Sequence, residues 1–228
     1  MNRPALLILA ALEIELQSLR PRPRTQSGHQ PCLTFQAPDQ PDSIPIVVTG
    51  PGCRRAADVT ATALDAMRPS AVLVIGFAGA CGDMTPGQVI VPQQVIDDET
   101  GRVFHPTRAG AGAGTLVTVT RPLLAPRHKR RCRQEHGADA VDMETAAVAA
   151  ECDRRSVPWS CLRAISDRVD QAIPPWAPRL CDACGRSRPA AAAADLLTHP
   201  WHIGPLLRLR RSAHLAADAL ARAIPDHI

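Results

Sequence analysis

Five uncharged residues, Ala71-Val72-Leu73-Val74-Ile75, run directly into Gly76-Phe77-Ala78-Gly79-Ala80-Cys81-Gly82, and this junction constrains the fold more than any other stretch. A short apolar run with no polar face marks a strand buried on both sides, as in a sheet covered by helices above and below. Three glycines in the following seven residues mean that the backbone turns sharply or is approached closely by something else. In an open α/β sheet, ligands bind outside the C-terminal ends of the strands, so the junction is also a candidate site.

The same pattern recurs along the chain. Leu6 to Ala11 is apolar and ends in Ala11-Leu12-Glu13-Ile14-Glu15-Leu16, an acidic turn opening a short helix. From Arg20 to Pro45 the composition shifts to Pro, Gln and Ser, with an edge strand over Cys32 to Gln36. Ile44 to Thr49 is a strand closed by Gly50-Pro51-Gly52 and followed by a helix from Cys53 to Met67. Strand, glycine turn and helix together are an anion-binding unit or a plain tight turn. Arg54 and Arg55 beside it are phosphate ligands or solvated charges. Gly87 to Ile96 reads as one strand and Asp97 to Gly101 as a polar turn. Ala109 to Gly114 reads as a glycine-alanine loop, Leu116 to Thr120 as a strand, and Leu123 to His136 as a basic helix. A strand at Trp159 to Ile165 ends in Ser166-Asp167-Arg168-Val169-Asp170, where the polar residues are ligand-side groups or helix caps. Residues 173–189 are proline-rich and irregular. An amphipathic helix over 205–224 repeats Leu206, Leu209, Ala213, Ala216 and Leu220 at helical spacing. No internal repeat is evident, and 1–228 reads as one domain.

Ala140-Val141-Asp142-Met143-Glu144-Thr145 places two acids between a strand and the alanine-rich helix of 144–155. Helix capping explains them, and so does a pair of carboxylates held at the mouth of a sheet. The wider composition narrows the functional classes. A net charge of +4 with three Trp, three Phe and no Tyr offers little for binding a nucleic-acid strand. No apolar run reaches the roughly 18 residues of a membrane span, and the N-terminal run lacks a cleavage pattern. The eight cysteines therefore read as reduced thiols of a cytoplasmic protein. Cys181-Asp182-Ala183-Cys184 has the spacing of half a zinc site without a second pair, so no metal is expected. His105, His128, His136 and His199 read as isolated surface residues.

Three stretches in this order resemble the nucleoside phosphorylase and nucleosidase superfamily: Gly76 to Gly82, Val141-Asp142-Met143-Glu144, and Arg163-Ala164-Ile165-Ser166-Asp167. The Ala11 to Glu15 turn is similar to the start of methylthioadenosine/S-adenosylhomocysteine nucleosidases. The resemblance implies a three-layer α/β/α fold with a central mixed β-sheet and no cofactor. It implies Asp167 as the general acid at N7 of the leaving purine and Glu15 as the group that activates water. Glu144 would accept hydrogen bonds from the ribose hydroxyls, with Met143 packed on the sugar. Phe77, Ala78, Gly79 and Ser166 would line the substrate pocket. These residue types suit the reaction, because breaking an N-glycosidic bond builds positive charge on ribose and negative charge on the base. To keep a proton near neutral pH, Asp167 would need burial.

The purine phosphorylases of this superfamily carry an arginine in the strand before the glycine loop and a Ser or Thr within it. Val74 and Phe77 stand at those places here, and Val74 cannot offset the desolvation of a phosphate dianion. Hydrolysis is therefore expected over phosphorolysis through Arg54 or Arg55. The segment from Asp98 to Ala140 is short, and the Ser-Gly-Asp-Phe base loop of the methylthioadenosine enzymes is missing. The tail, with Pro174-Pro175, Arg188-Pro189, Leu196-Leu197 and the Leu206 to Leu220 helix, is similar to hopanoid-associated nucleosidases that cut adenosylhopane. Futalosine hydrolases are a further branch. Arg208, Arg210 and Arg211 would suit an enzyme visiting a membrane for a lipid nucleoside, or are solvated charges on a core-packing helix. A small-molecule nucleoside partner and a homo-oligomer are implied. A nucleoside-binding protein without turnover is the non-enzymatic alternative.

Overall fold

The computed structural model describes residues 4–19, 22–24, 32–36, 43–107 and 114–228. The chain runs through β1 (Leu6–Ala10), β2 (Arg22–Arg24), β3 (Cys32–Phe35), β4 (Ile44–Val48), α1 (Cys53–Met67) and β5 (Ala71–Ala80). Five short elements follow: β6 (Val89–Ile90), β7 (Gln94–Asp97), β8 (Val103–Phe104), β9 (Thr115–Thr118) and α2 (Pro126–His136). The last part holds β10 (Ala140–Asp142), α3 (Thr145–Arg154), β11 (Trp159–Asp167), α4 (Pro189–Thr198) and α5 (Ile203–Ala223).

The described strands form one mixed sheet in the order β2-β3-β4-β1-β5-β10-β9-β7-β8, with β11 beside β5 and β6 beside β11. Its centre is parallel: β1 pairs in parallel with β4 and β5, and β5 with β11. Alternate residues of the central strands sort to opposite faces, because successive side chains of a strand point opposite ways. Leu7, Leu9, Val72 and Val74 pack under α1 and α3 with Ala56, Val59, Ala146 and Ala149. Ile8, Leu73, Ile75 and Leu162 pack under α5 with Ala216 and Leu220. The fold is a three-layer α/β/α sandwich. Complete burial of Leu73 and Ile75 contributes about 1.5–3 kcal/mol each.

Several elements differ from the sequence expectation. The single strand over 87–96 is two strands, β6 and β7, interrupted at Pro92, which has no N–H for a ladder. The 173–189 segment contains a 3-10 turn at Ala177–Leu180 and a Cys181–Ser187 bridge. Helix α4 was not expected, although Pro189 ahead of an alanine run is a helix-start signal. The basic helix starts at Pro126 rather than Leu123. Helix α5 begins two residues earlier than expected, with Pro205 in the first turn, where a missing N–H costs nothing. Its buried residues, Ser212, Ala216, Ala217, Ala219 and Leu220, lie in its second half, so Leu206 and Leu209 are only half-buried. The glycine-alanine stretch of 109–114 lies, apart from Gly114, outside the described residues. No described helix is long and apolar enough to cross a membrane.

Candidate active site

The site begins as a gap along one edge of β5. That edge pairs with β1 over Ala71–Ile75 and with β10 at Gly79 and Ala80. Among the described residues no strand lies beside Gly76, Phe77 and Ala78 on that edge, while β11 continues along the other. A side chain takes the orphaned donor: Phe77 N–H donates to Glu15 Oε1 at 2.8 Å. Glu15 comes from the 3-10 turn Glu13–Leu16 at the end of β1, and its Oε2 accepts from Ala11 and Leu12 N–H at 2.9 Å each. Burial pushes the Glu15 carboxyl above its usual range, against the opposing pull of Arg163 and the three N–H groups.

Gly76 is required here because a Cβ would lie 1.9 Å from Arg163 Nη1 and 2.7 Å from Glu15 Oε1. Arg163 is the one cation within the otherwise uncharged body of β11, and it is 1% exposed. A buried guanidinium must be paired and saturated with acceptors. Its Nη2 lies 2.6 Å from Asp142 Oδ2 and donates to Thr145 Oγ1 at 2.6 Å, while Nη1 donates to Ile75 O at 3.2 Å. Asp142 also accepts from Thr118 Oγ1 at 2.6 Å and from Thr145 N–H at 3.1 Å. Asp142 thus caps α3 and neutralises Arg163.

Glu144 immediately precedes α3 but serves a different helix. Its Oε1 accepts from Gly52 N–H, at the start of α1, at 2.7 Å. The anion at this glycine-turned helix N-terminus is therefore the protein's own carboxylate. Burial, reinforced by the charge of Asp142, raises the Glu144 carboxyl to about 7. Met143 lies beside it, with its carbonyl accepting from Cys53 Sγ–H at 3.0 Å.

Asp167 sits at the end of β11 rather than beyond it. It is 4% exposed, and its Oδ1 accepts from the Ser166 hydroxyl at 2.6 Å. Its Oδ2 is ion-paired with Lys129 Nζ from α2. The ammonium also donates to Arg168 O at 2.7 Å and Gln171 O at 3.1 Å. Gly79 leaves room for this carboxylate, since a Cβ there would be 3.0 Å from Asp167 Oδ2. The close approach expected of the glycine loop is thus made by Glu15 and Arg163 at one end and Asp167 at the other.

All eight residues singled out in the sequence, Glu15, Phe77, Ala78, Gly79, Met143, Glu144, Ser166 and Asp167, line one cavity of about 490 Å³. Leu12, Val119, Leu123, Ile173 and Pro178 add apolar wall. Sequence reasoning did not assign roles to Lys129 or Arg163. Arg163 carried a signal, a lone charge in a buried strand; Lys129 sits among basic neighbours and carried none. Arg54 is exposed and Arg55 Nη2 contacts Cys184 Sγ at 3.3 Å; neither lines the cavity. His199 is not isolated, because it lies with Asp195 and His202.

A family model described as the phosphorylase superfamily matches residues 40–113 and 109–179. The chain belongs to the phosphorylase superfamily. A 5′-methylthioadenosine/S-adenosylhomocysteine nucleosidase of Mycobacterium bovis is 38% identical over 68 residues, 27% of this chain and 27% of the relative. The match thus spans about a quarter of that relative's length. Solved structures of this superfamily member's fold cover the whole chain. The 5′-methylthioadenosine/S-adenosylhomocysteine nucleosidase of Helicobacter pylori superposes with a TM-score of 0.70 at 17% identity, covering 100% of both chains. Futalosine hydrolase of the same organism gives 0.69 at 17% identity, covering 99% of this chain and 98% of its own.

Proposed function

We propose that the protein is a cofactor-free purine nucleoside N-ribosyl hydrolase that releases adenine or a related base from a 5′-modified adenosine. The reading rests on one observation above all: Glu15, Glu144 and Asp167 are buried around a single cavity with apolar walls. The superfamily membership and the names of the similar proteins support it.

The chemistry follows from the charges that develop. As the N-glycosidic bond breaks, ribose becomes cationic and the base anionic. Glu144 accepts hydrogen bonds from the ribose hydroxyls and, as a carboxylate, favours the cationic sugar. Asp167 passes a proton to N7 of the departing base. The ion pair with Lys129 revises the expectation that burial alone would keep that proton available. The pair stores it together, Lys129 giving up one proton as N7 gains one through Asp167. Glu15, held by the Ala11, Leu12 and Phe77 N–H groups, orients a water against the sugar and takes its proton as the C–O bond forms. Glu15 then releases the water's proton to solvent and solvent returns one to Lys129, so atoms and charge balance over hydrolysis.

Hydrolysis rather than phosphorolysis is supported by the N-terminus of α1, where Glu144 already occupies the first N–H and would repel a phosphate dianion. Incubating the protein with adenosine-type nucleosides with and without phosphate tests this; a ribose-1-phosphate product would refute it. An adenine-release screen against methylthioadenosine, S-adenosylhomocysteine, futalosine and adenosylhopane identifies the 5′ group. No adenine from any of them would favour a binding protein without turnover.

One observation favours a lipid nucleoside such as adenosylhopane. Leu197, Trp201, Ile203 and Leu207 are 86%, 68%, 56% and 57% exposed, beside exposed Arg208, Arg210 and Arg211. Exposed apolar side chains close in the chain to arginines suit an anionic membrane surface. Flotation with anionic vesicles, lost in Trp201→Ser/Ile203→Ser, tests it. The homo-oligomer belongs to the same proposal and is read by sedimentation of the full chain.

A further inference from the structure

We propose that Asp195, His199 and His202 form a binding site for a divalent transition-metal cation of the Zn²⁺/Ni²⁺ class, outside the cavity. The one-carboxylate, two-imidazole donor set arises locally. Asp195 lies in the last turn of α4, His199 follows that helix, and His202 ends a 3-10 turn begun by Pro200. The turn is closed by His202 N–H donating to His199 O at 2.9 Å.

The geometry is that of a chelate. One ligand atom from each residue lies within 4.8 Å of the others. Both carboxylate oxygens face imidazoles: Asp195 Oδ1 is 3.5 Å from His199 Nδ1, and Oδ2 is 2.6 Å from His202 Nδ1. Donors about 2.0–2.2 Å from a tetrahedral zinc stand roughly 3.3 Å apart, close to the His199 spacing. A cation would replace the direct His202–Asp195 contact, opening it from 2.6 Å to about 3.3 Å. Two nitrogen donors and one oxygen select zinc, nickel or copper over magnesium. Three protein ligands leave positions for water.

The surroundings hold the donors in place and supply a reporter. The two imidazoles are stacked at 4.9 Å with 15° between planes. Trp176 stacks on His202 at 4.8 Å, and Trp201 meets His199 edge-on at 5.4 Å. Trp176 leads into the Ala177–Leu180 turn, whose Ala177 and Pro178 line the cavity. A cation here would join the end of α4 to the start of α5 and brace that wall through Trp176.

The test is titration of the untagged full chain with Ni²⁺ at pH 7.5, read by tryptophan fluorescence and thermal unfolding. We expect saturable quenching at one cation per chain and a raised Tm. His199→Ala and His202→Ala should each weaken binding at least tenfold, while His105→Ala leaves it unchanged. His199 is half exposed, so its replacement spares the core. Mg²⁺ at equal concentration should do nothing. Absence of saturable quenching, or quenching that survives both histidine variants, overturns the site; equal response to Mg²⁺ overturns the metal class. The readout is independent of nucleosidase activity.

Discussion

Replacing Lys129 with Met tests the central electrostatic feature of the cavity. The side chains of Lys129 and Asp167 are 1% and 6% exposed, so the substitution leaves a carboxylate inside the protein with only the Ser166 hydroxyl donating to it. Removing one partner of a buried pair costs about 3–5 kcal/mol, and Arg168 O and Gln171 O lose a donor as well. Met matches the lysine stem in volume, so packing contributes little to the loss. At about 2–4 °C per kcal/mol for a chain of this size, Tm should fall by about 10 °C at pH 7. Without the ammonium, the buried Asp167 favours its neutral form, so the folded variant binds a proton more readily than the unfolded chain. Its stability must therefore rise as pH is lowered toward 5, relative to the unsubstituted protein. Lys129→Met/Asp167→Asn, which removes the stranded charge, should recover much of the loss. Adenine release by Lys129→Met should fall by about 10²–10⁴-fold at pH 7, the range of general acid catalysis. Scanning calorimetry at pH 5 and 7, with a coupled adenine assay, reads all of this. An equal Tm deficit at both pH values and in the double variant would refute the reasoning.

Asp167→Asn and Glu15→Gln should abolish adenine release while circular dichroism stays native; unchanged release by both would remove the mechanism. Gly76→Ala should destabilise by about 2–4 kcal/mol, because its Cβ meets Arg163 Nη1 at 1.9 Å; denaturant unfolding measures it. Glu144, raised to about 7, binds a proton in the folded state that the unfolded chain has released above pH 4.5. Its contribution therefore makes stability fall between pH 4.5 and 7, by on the order of 3 kcal/mol, and Glu144→Gln should flatten that slope. Nucleoside KM should rise below pH 7 as Glu144 loses its charge, and a KM independent of pH from 5 to 8 would contradict its ribose role.

The order of strands and helices was legible wherever an apolar run was long or a glycine turn punctuated it, as at β1, β4, α1 and β5. The misread parts have physical causes. Pro92 splits what periodicity joins, and α4 buries no side chain, so its alanines form no stripe. The Val141 to Glu144 stretch read as either a cap or a site. In the folded chain the two acids part: Asp142 caps α3, while Glu144 reaches across to the N-terminus of α1 and lines the cavity.

By itself, the sequence determined the layered α/β architecture and singled out three acids, Glu15, Glu144 and Asp167, that the folded chain buries around one cavity. Burial on both faces leaves apolar runs, and close approach leaves glycines, so both are written locally. Only the tertiary structure decided the partners of those acids. Lys129 meets Asp167 across 38 residues, Glu144 meets Gly52 across 92, and Glu15 meets Phe77 across 62. Charge compensation in a low-dielectric interior depends on distance in space, which a lysine in a basic helix cannot reveal from its neighbours.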